Sequence, residues 1–347
     1  MFFAKGKPVD GEIYKMKVQN AIDFVVPWVD DRDPVWRAKK SKYTGAEFVE
    51  GNTEVRYRDW DTLKYWFRGV EKFAPWVRYV YFVTDDQKPA WLNVNHPKLR
   101  WVKHEDFIPS EYLPTFSANP IEWNLHRIKG LSENFVYFND DVFLIGDTKP
   151  EDFFVDGLPC DYPVIGLIYP CGFFAHMLFN NTMLLNRYFS LKGSIGAHRK
   201  KWIRNQTFSG LLRLLWYGRR DLIPGTVSHH IQTSFSKKTF HTLWEKEYDL
   251  IHETCQHKLR TKDDITSYCV RDWQIFTGQF YPHKPLGRLF HTATMAHSDE
   301  AIEYLRKQKG KVICLNDSED ETDFELHKQM ILEAFERIFP EKSSFEL

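Results

Sequence analysis

Apolar and polar positions alternate in blocks along the first 145 or so residues, and the blocks change period as they go. The run Ile22-Asp23-Phe24-Val25-Val26-Pro27-Trp28-Val29 predicts a buried strand over 21–29. Asp30-Asp31-Arg32-Asp33-Pro34 stops it and starts a helix near Pro34. From 59 to 73, Leu63, Trp66, Phe67 and Val70 recur at helical spacing with Lys64, Arg68 and Glu71 opposite. Further strands are predicted over 77–84 and 99–102, a helix over 120–128, and a strand over 135–138 that runs into Asn139-Asp140-Asp141. Strands alternating with helices predict a parallel, Rossmann-type sheet. Prolines break up 150–228. Beyond it the pattern predicts helices over 240–255, 263–280 and 325–339, with a short strand over 311–315 running into Asn316-Asp317.

A chain of 347 residues can bury a large core, as one elaborated α/β domain or a domain with a subdomain. Lysine plus arginine balances aspartate plus glutamate at 47 each, so no global field points to nucleic acid. The start lacks a continuous apolar signal-peptide core, and no apolar run is long enough for a transmembrane helix. Five cysteines without CxxC spacing fit reduced thiols in a cytoplasmic protein. The charge balance fails locally. Between Lys192 and Arg220 there are eight basic residues and no acid, interleaved with Trp202, Leu211, Leu215 and Trp216. Such a stretch fits either a peripheral membrane contact or a core-packing helix with a solvated basic face.

Asp140-Asp141 is the main chemical signal. Paired carboxylates at the end of a buried strand fit a divalent cation holding a diphosphate, and equally fit a cap or turn. Walker, Gly-x-Ser-x-Gly, His-Glu-x-x-His and Gly-x-Gly-x-x-Gly motifs are absent, which argues against P-loop kinases, serine hydrolases, zincins and dinucleotide oxidoreductases. Carboxylates, histidine and arginine without a Gly-rich loop suit a metal-assisted transferase acting on a nucleotide sugar.

The stretch from Ile22 to Asp30 resembles the first conserved region of the Stealth family of hexose-1-phosphate transferases. Arg56-Tyr57-Arg58-Asp59-Trp60-Asp61-Thr62-Leu63, Ile121-Glu122, His126-Arg127-Ile128 and Asn139-Asp140-Asp141-Val142 resemble the second. His229-His230-Ile231, His257-Lys258-Leu259-Arg260 and Asp263-Asp264 match the third more loosely. Cys314-Leu315-Asn316-Asp317 and Ser344-Phe345-Glu346-Leu347 match the fourth.

The resemblance implies an α/β fold: a Rossmann-like, GT-A-type nucleotide-diphosphosugar transferase core with a helical insertion. An extension over 1–20 would precede the N-terminal half of the core at 21–155. A variable insertion would occupy 156–228, and 229–347 would complete the core. The implied reaction moves a sugar-1-phosphate from a UDP-sugar (UDP-GlcNAc or a UDP-hexose) to a hydroxyl of a lipid-linked or polysaccharide acceptor, releasing UMP. It would serve capsule or cell-surface polysaccharide synthesis in the cytoplasm. Asp140, Asp141, His229, Arg260 and Glu122 are the implied catalytic residues, with His230 the competitor of its neighbour. Asp23, Arg56, Arg127 and Asn316 are implied in substrate binding. Asp141 and Asp317 are implied ligands of Mg²⁺ or Mn²⁺. The alternatives are a GT-A glycosyltransferase releasing UDP and a non-catalytic glycan-binding protein on the same fold.

Overall fold

The computed structural model describes residues 21–44, 52–53, 57–292, 295–317 and 323–347, except the side chains of Met295 and Ala296. The first half of the chain runs β1 (Ile22–Pro27), α1 (Pro34–Lys40), α2 (Leu63–Phe73), β2 (Val80–Thr84), β3 (Leu99–Lys103), α3 (Ala118–Asn124), β4 (Asn134–Tyr137) and β5 (Val142–Leu144). Next come β6 (Phe154–Val155), β7 (Leu158–Asp161), α4 (Phe173–Tyr188), α5 (Leu191–Ala197), α6 (Arg199–Ile203) and α7 (Phe208–Tyr217). The remainder is β8 (Thr233–Ser236), α8 (Lys237–Lys246), α9 (Tyr248–Gln256), α10 (Tyr268–Phe276), β9 (Tyr281–Pro282), β10 (Gly287–His291), α11 (Met295–Arg306), β11 (Val312–Asn316) and α12 (Phe324–Ile338).

The main sheet has the order β3-β2-β1-β4-β8. Its first four strands are parallel and β8 closes it antiparallel. The order 3-2-1-4 is that of a Rossmann-type half, so the fold is mixed α/β around a parallel sheet. Period-2 alternation sends Phe24, Val26, Phe82 and Val136 into one core, shared with α2, α11 and α12. Val25, Tyr81, Val83 and Phe135 enter a second core with α3 and α8–α10. Gly69 brings α2 against β5, where a β-carbon would stand 2.7 Å from the Leu144 carbonyl oxygen.

Parallel strands bring the carboxyl ends of β1, β2 and β4 to one edge. A second sheet, β10-β11-β5, joins that edge directly, because β5 starts immediately after Asp141. β5 and β11 are antiparallel with Val142 opposite Cys314, and the Asp141 carbonyl accepts from Leu315 N–H at 2.9 Å. That register draws Asn316-Asp317 alongside Asp140-Asp141. The third sheet is β6-β7-β9.

The predicted helix over 240–255 is two helices. Glu247 leaves the helical region at φ −129°, ψ 39°, and its buried carboxylate accepts from Arg187 at 2.9 Å. The predicted helix over 263–280 starts later, at Tyr268, because Asp264 turns inward as a loop staple. β6, β7, β9, β10, α4 and α11 lie where the sequence pattern set no element.

Candidate active site

A cleft of about 630 Å³ opens over the carboxyl edge of the main sheet. Its wall carries Asp140 and Asp141 from the β4–β5 turn, Glu122 from α3, and Asn316 and Asp317 from the end of β11. His230 precedes β8 and Arg260 lies between α9 and α10. Residues far apart in the chain thus share one concavity large enough for a nucleotide sugar.

The acids are crowded. Water reaches Asp140 inside the cleft, yet dense protein around it raises its carboxyl. Asp141 and Asp59 add negative charge, and the carboxyl is pushed up to about 7. A cation would relieve this crowding. Glu122 is also raised, first by burial, although it accepts hydrogen bonds from the Tyr137 hydroxyl at 2.9 Å and from the Ser267 hydroxyl.

Arg260 is held from behind. Asn52 clasps its backbone in both directions at 3.1 Å. Asp264 is fully buried and accepts from Asn119 at 2.9 Å, from the Thr261 hydroxyl at 2.8 Å and from Thr261 N–H at 3.1 Å. It also pairs with His257 Nδ1 at 2.7 Å, which raises the His257 pKa. Among the described residues the Arg260 guanidinium makes no hydrogen bond or ion pair of its own, and Arg260 lines the cleft as a cation that could accept an anionic ligand.

The two histidines part company. His230 Nδ1 shares a 2.5 Å hydrogen bond with the Tyr268 hydroxyl, and its Nε2 lies 4.0 Å from Asp141. The preference for His229 is therefore corrected. His229 lies outside the main cleft and lines a small cavity of about 40 Å³ beside Asp161 and Arg271, which His230 also borders; among the described residues its buried Nε2 has no hydrogen-bond partner. Burial, then Arg271, lowers its pKa. His230 takes a left-handed φ of 46° in the segment that leads into β8.

Two further expectations need correction. Asp23 sits at the opposite, amino end of β1, fully buried. It accepts from Arg78 Nε at 2.8 Å and from Ser132 N–H at 2.8 Å, so it is a structural anchor. Arg127 is exposed, stacked 5.0 Å over Trp244 and away from the cleft. Asp317 lines the cleft, but its carboxylate accepts from Arg58 at 2.8 and 2.5 Å and from Trp60 Nε1 at 2.9 Å. Its carboxylate is thus already paired with an arginine in this arrangement. Arg56 lies outside the described residues. Asn316 lines the cleft, its side-chain amide 3.2 Å from His291 Nδ1.

Asp59 and Tyr268 are cleft residues absent from the sequence-derived set. Asp59 stood within the Arg-Tyr-Arg-Asp motif and offered a signal, whereas nothing local marks Tyr268. Ligand atoms of Asp141, His230 and Cys314 lie within 4.8 Å of one another. The thiol is held protonated, well above its ordinary range, by burial and by Asp141. The carboxylate oxygens that remain are donors of the kind that fit a hard divalent cation.

Comparison with known proteins decides the family. Stealth protein conserved region 1 matches residues 20–47, conserved region 2 matches 56–160 and conserved region 4 matches 303–347. The capsular polysaccharide phosphotransferase WcwK of Streptococcus pneumoniae is 41% identical over 335 residues, covering 94% of this chain and 99% of its own. The chain belongs to the Stealth family. The receptor polysaccharide phosphotransferase WefC of Streptococcus oralis is 40% identical, covering 94% of this chain and 100% of its own. The exopolysaccharide phosphotransferase cps2G of Lactiplantibacillus plantarum is 36% identical, with coverage of 94% and 96%. This Stealth chain is accordingly a phosphotransferase. The apo structure of the bifunctional glycosyltransferase WbbM superposes with a TM-score of 0.43 at 11% identity, covering 91% of this chain and 49% of that one. No helix among the described residues is long and apolar enough to cross a membrane.

Proposed function

We propose that this enzyme moves a sugar-1-phosphate from a UDP-sugar to a hydroxyl of a growing surface polysaccharide, on the inner face of the cell membrane. The acceptor is lipid-linked or polymeric glycan. Its oxygen attacks the β-phosphorus, the phosphoanhydride bond breaks, UMP leaves, and the sugar remains joined to the acceptor through a phosphodiester. The observation that carries the reading is the convergence of Asp140, Asp141, His230, Arg260 and Glu122 on one cleft. The names of the bacterial relatives support polysaccharide as the material being built.

Phosphoryl transfer needs positioning and neutralised phosphate oxygens more than covalent help. Arg260 clamps those oxygens. His230 takes the acceptor proton at Nε2, with its Nδ1–H donated to the Tyr268 oxygen, which fixes the tautomer. Glu122 holds Tyr137 and Ser267 in place behind them. A divalent cation, Mg²⁺ or Mn²⁺, would be held by Asp141 with Asp140 and would supply further charge neutralisation. The test is the nucleotide released from UDP-N-acetylglucosamine and a panel of UDP-hexoses, resolved by ion-pair chromatography. UMP is expected, removed by chelation, and reduced ~100-fold or more in Asp140→Asn and Arg260→Ala with melting unchanged. UDP without UMP would sink the reading in favour of ordinary glycosyl transfer.

A further inference from the structure

The insertion carries a surface that the cleft does not use. Among the described residues, twelve of the seventeen exposed large apolar side chains lie between Leu167 and Leu222. Helix α7 concentrates them. Its inward positions Leu211, Leu214 and Tyr217 are half-buried, while Phe208, Leu212, Leu215 and Trp216 point outward at 79%, 50%, 67% and 71% exposure. A helix apolar on both faces belongs in a core or in an apolar interface, and α7 lies at the surface. It is firmly attached there. Arg213 donates to the Ile165 carbonyl at 3.1 Å, and Thr207 N–H donates to the Tyr162 hydroxyl at 2.8 Å. Backbone bonds from Gly166 to Gly225 and from Ile168 to Pro224 bring the exposed Leu167 and Leu222 into the same layer.

Charge identifies the occupant. None of the eight basic residues over 192–220 forms an ion pair among the described residues. Lys201 donates to the Gly278 carbonyl, Arg204 stacks on Tyr281 and Arg220 on Tyr217. We propose that α7 and its basic flanks dock on an anionic lipid bilayer, with the α7 side chains at the acyl boundary and the lysines and arginines on the headgroups. A second copy of the chain would bring uncompensated positive charge against itself. The same insertion reaches the cleft, where Phe173, Phe174 and Met177 of α4 form part of the wall. This deepens the membrane placement proposed above; lipid binding is measured without donor, so the two readings fail separately.

The full chain is co-sedimented with vesicles of phosphatidylcholine alone or mixed with phosphatidylglycerol. Binding at least about tenfold stronger to the anionic vesicles, weakened by high salt, is expected. Leu215→Ser/Trp216→Ser should lose about tenfold or more of that binding, and Lys200→Ser/Arg219→Ser should lose the anionic preference. Both variants should keep parental melting and UMP release from soluble donor. Equal vesicle binding by parent and Leu215→Ser/Trp216→Ser overturns the proposal. So does a parent that dimerises without lipid and becomes monomeric in that variant.

Discussion

At the scale of single residues, the site turns on which of two adjacent histidines meets the acids. His230 faces Asp141 and Tyr268, while His229 lies beside Arg271, half-buried and outside the main cleft. His230→Ala should therefore lower kcat by about 100-fold or more with little change in melting, as expected for loss of a general base. His229→Ala should leave kcat within a few-fold and act on stability instead. Steady-state UMP release and thermal melts separate them, and a reversed pattern would restore His229 to the chemistry. Asp140 and Asp141 were legible because two acids terminate an apolar strand. The histidine choice was not, since it depends on which distant residues the fold sets beside each ring: Tyr268 and Asp141 for one, Arg271 for the other.

At the scale of elements, the amphipathic stripe of α2 was plain in the sequence, but its partner was not. Arg68 is a buried arginine on that helix, and it forks onto Glu346 at 2.8 and 2.9 Å while donating to the Phe339 carbonyl. Phe345 packs beside it on Phe67 with ring centroids 5.2 Å apart. Both charges are buried, and without Glu346 the arginine keeps only the more exposed Glu336, at 3.5 Å, and the Phe339 carbonyl. Glu346→Ala should cost about 3–5 kcal/mol in chemical denaturation, and Arg68→Met/Glu346→Leu should recover part of it. A loss below about 1 kcal/mol for Glu346→Ala would mean that water reaches Arg68. The match of Ser344-Phe345-Glu346-Leu347 to a conserved region thus marks a structural clasp between chain end and helix.

At the scale of the molecule, two buried histidines tie stability to pH. Burial, against Asp85 and helped by Lys39, holds His104 down to about 4. Burial, with Arg127 and His241, holds His126 down to about 3. Unfolded histidine titrates near ~6.5, so the folded chain binds fewer protons between these values. Their contribution is complete above ~6.5 and is lost as pH falls, by about 1.4 kcal/mol per unit for each ring. Asp140 and Asp272, pushed up to about 7 and about 6, act in the opposite sense over the same range. The test is therefore a difference. Between pH ~7 and ~5 the melting temperature of His126→Gln should fall less than the parent's, and parallel curves would refute the assignment.

Strand and helix identity in the first 145 residues, the acid pair, the basic stretch and the family resemblance were all readable locally, because each depends on near-neighbour residue type and period. Pairing was not. The antiparallel register of β5 with β11 brings Asn316-Asp317 to Asp140, and Arg58 then claims Asp317. Asp23 looked like a site acid and became an anchor, because strand direction placed it at the opposite edge of the sheet. The outward face of α7 has the composition of a core helix, and only the assembled layers show that nothing else in the described chain covers it. Long-range contacts settle these matters, since the same side chain is ligand, staple or docking surface according to what the fold sets across from it.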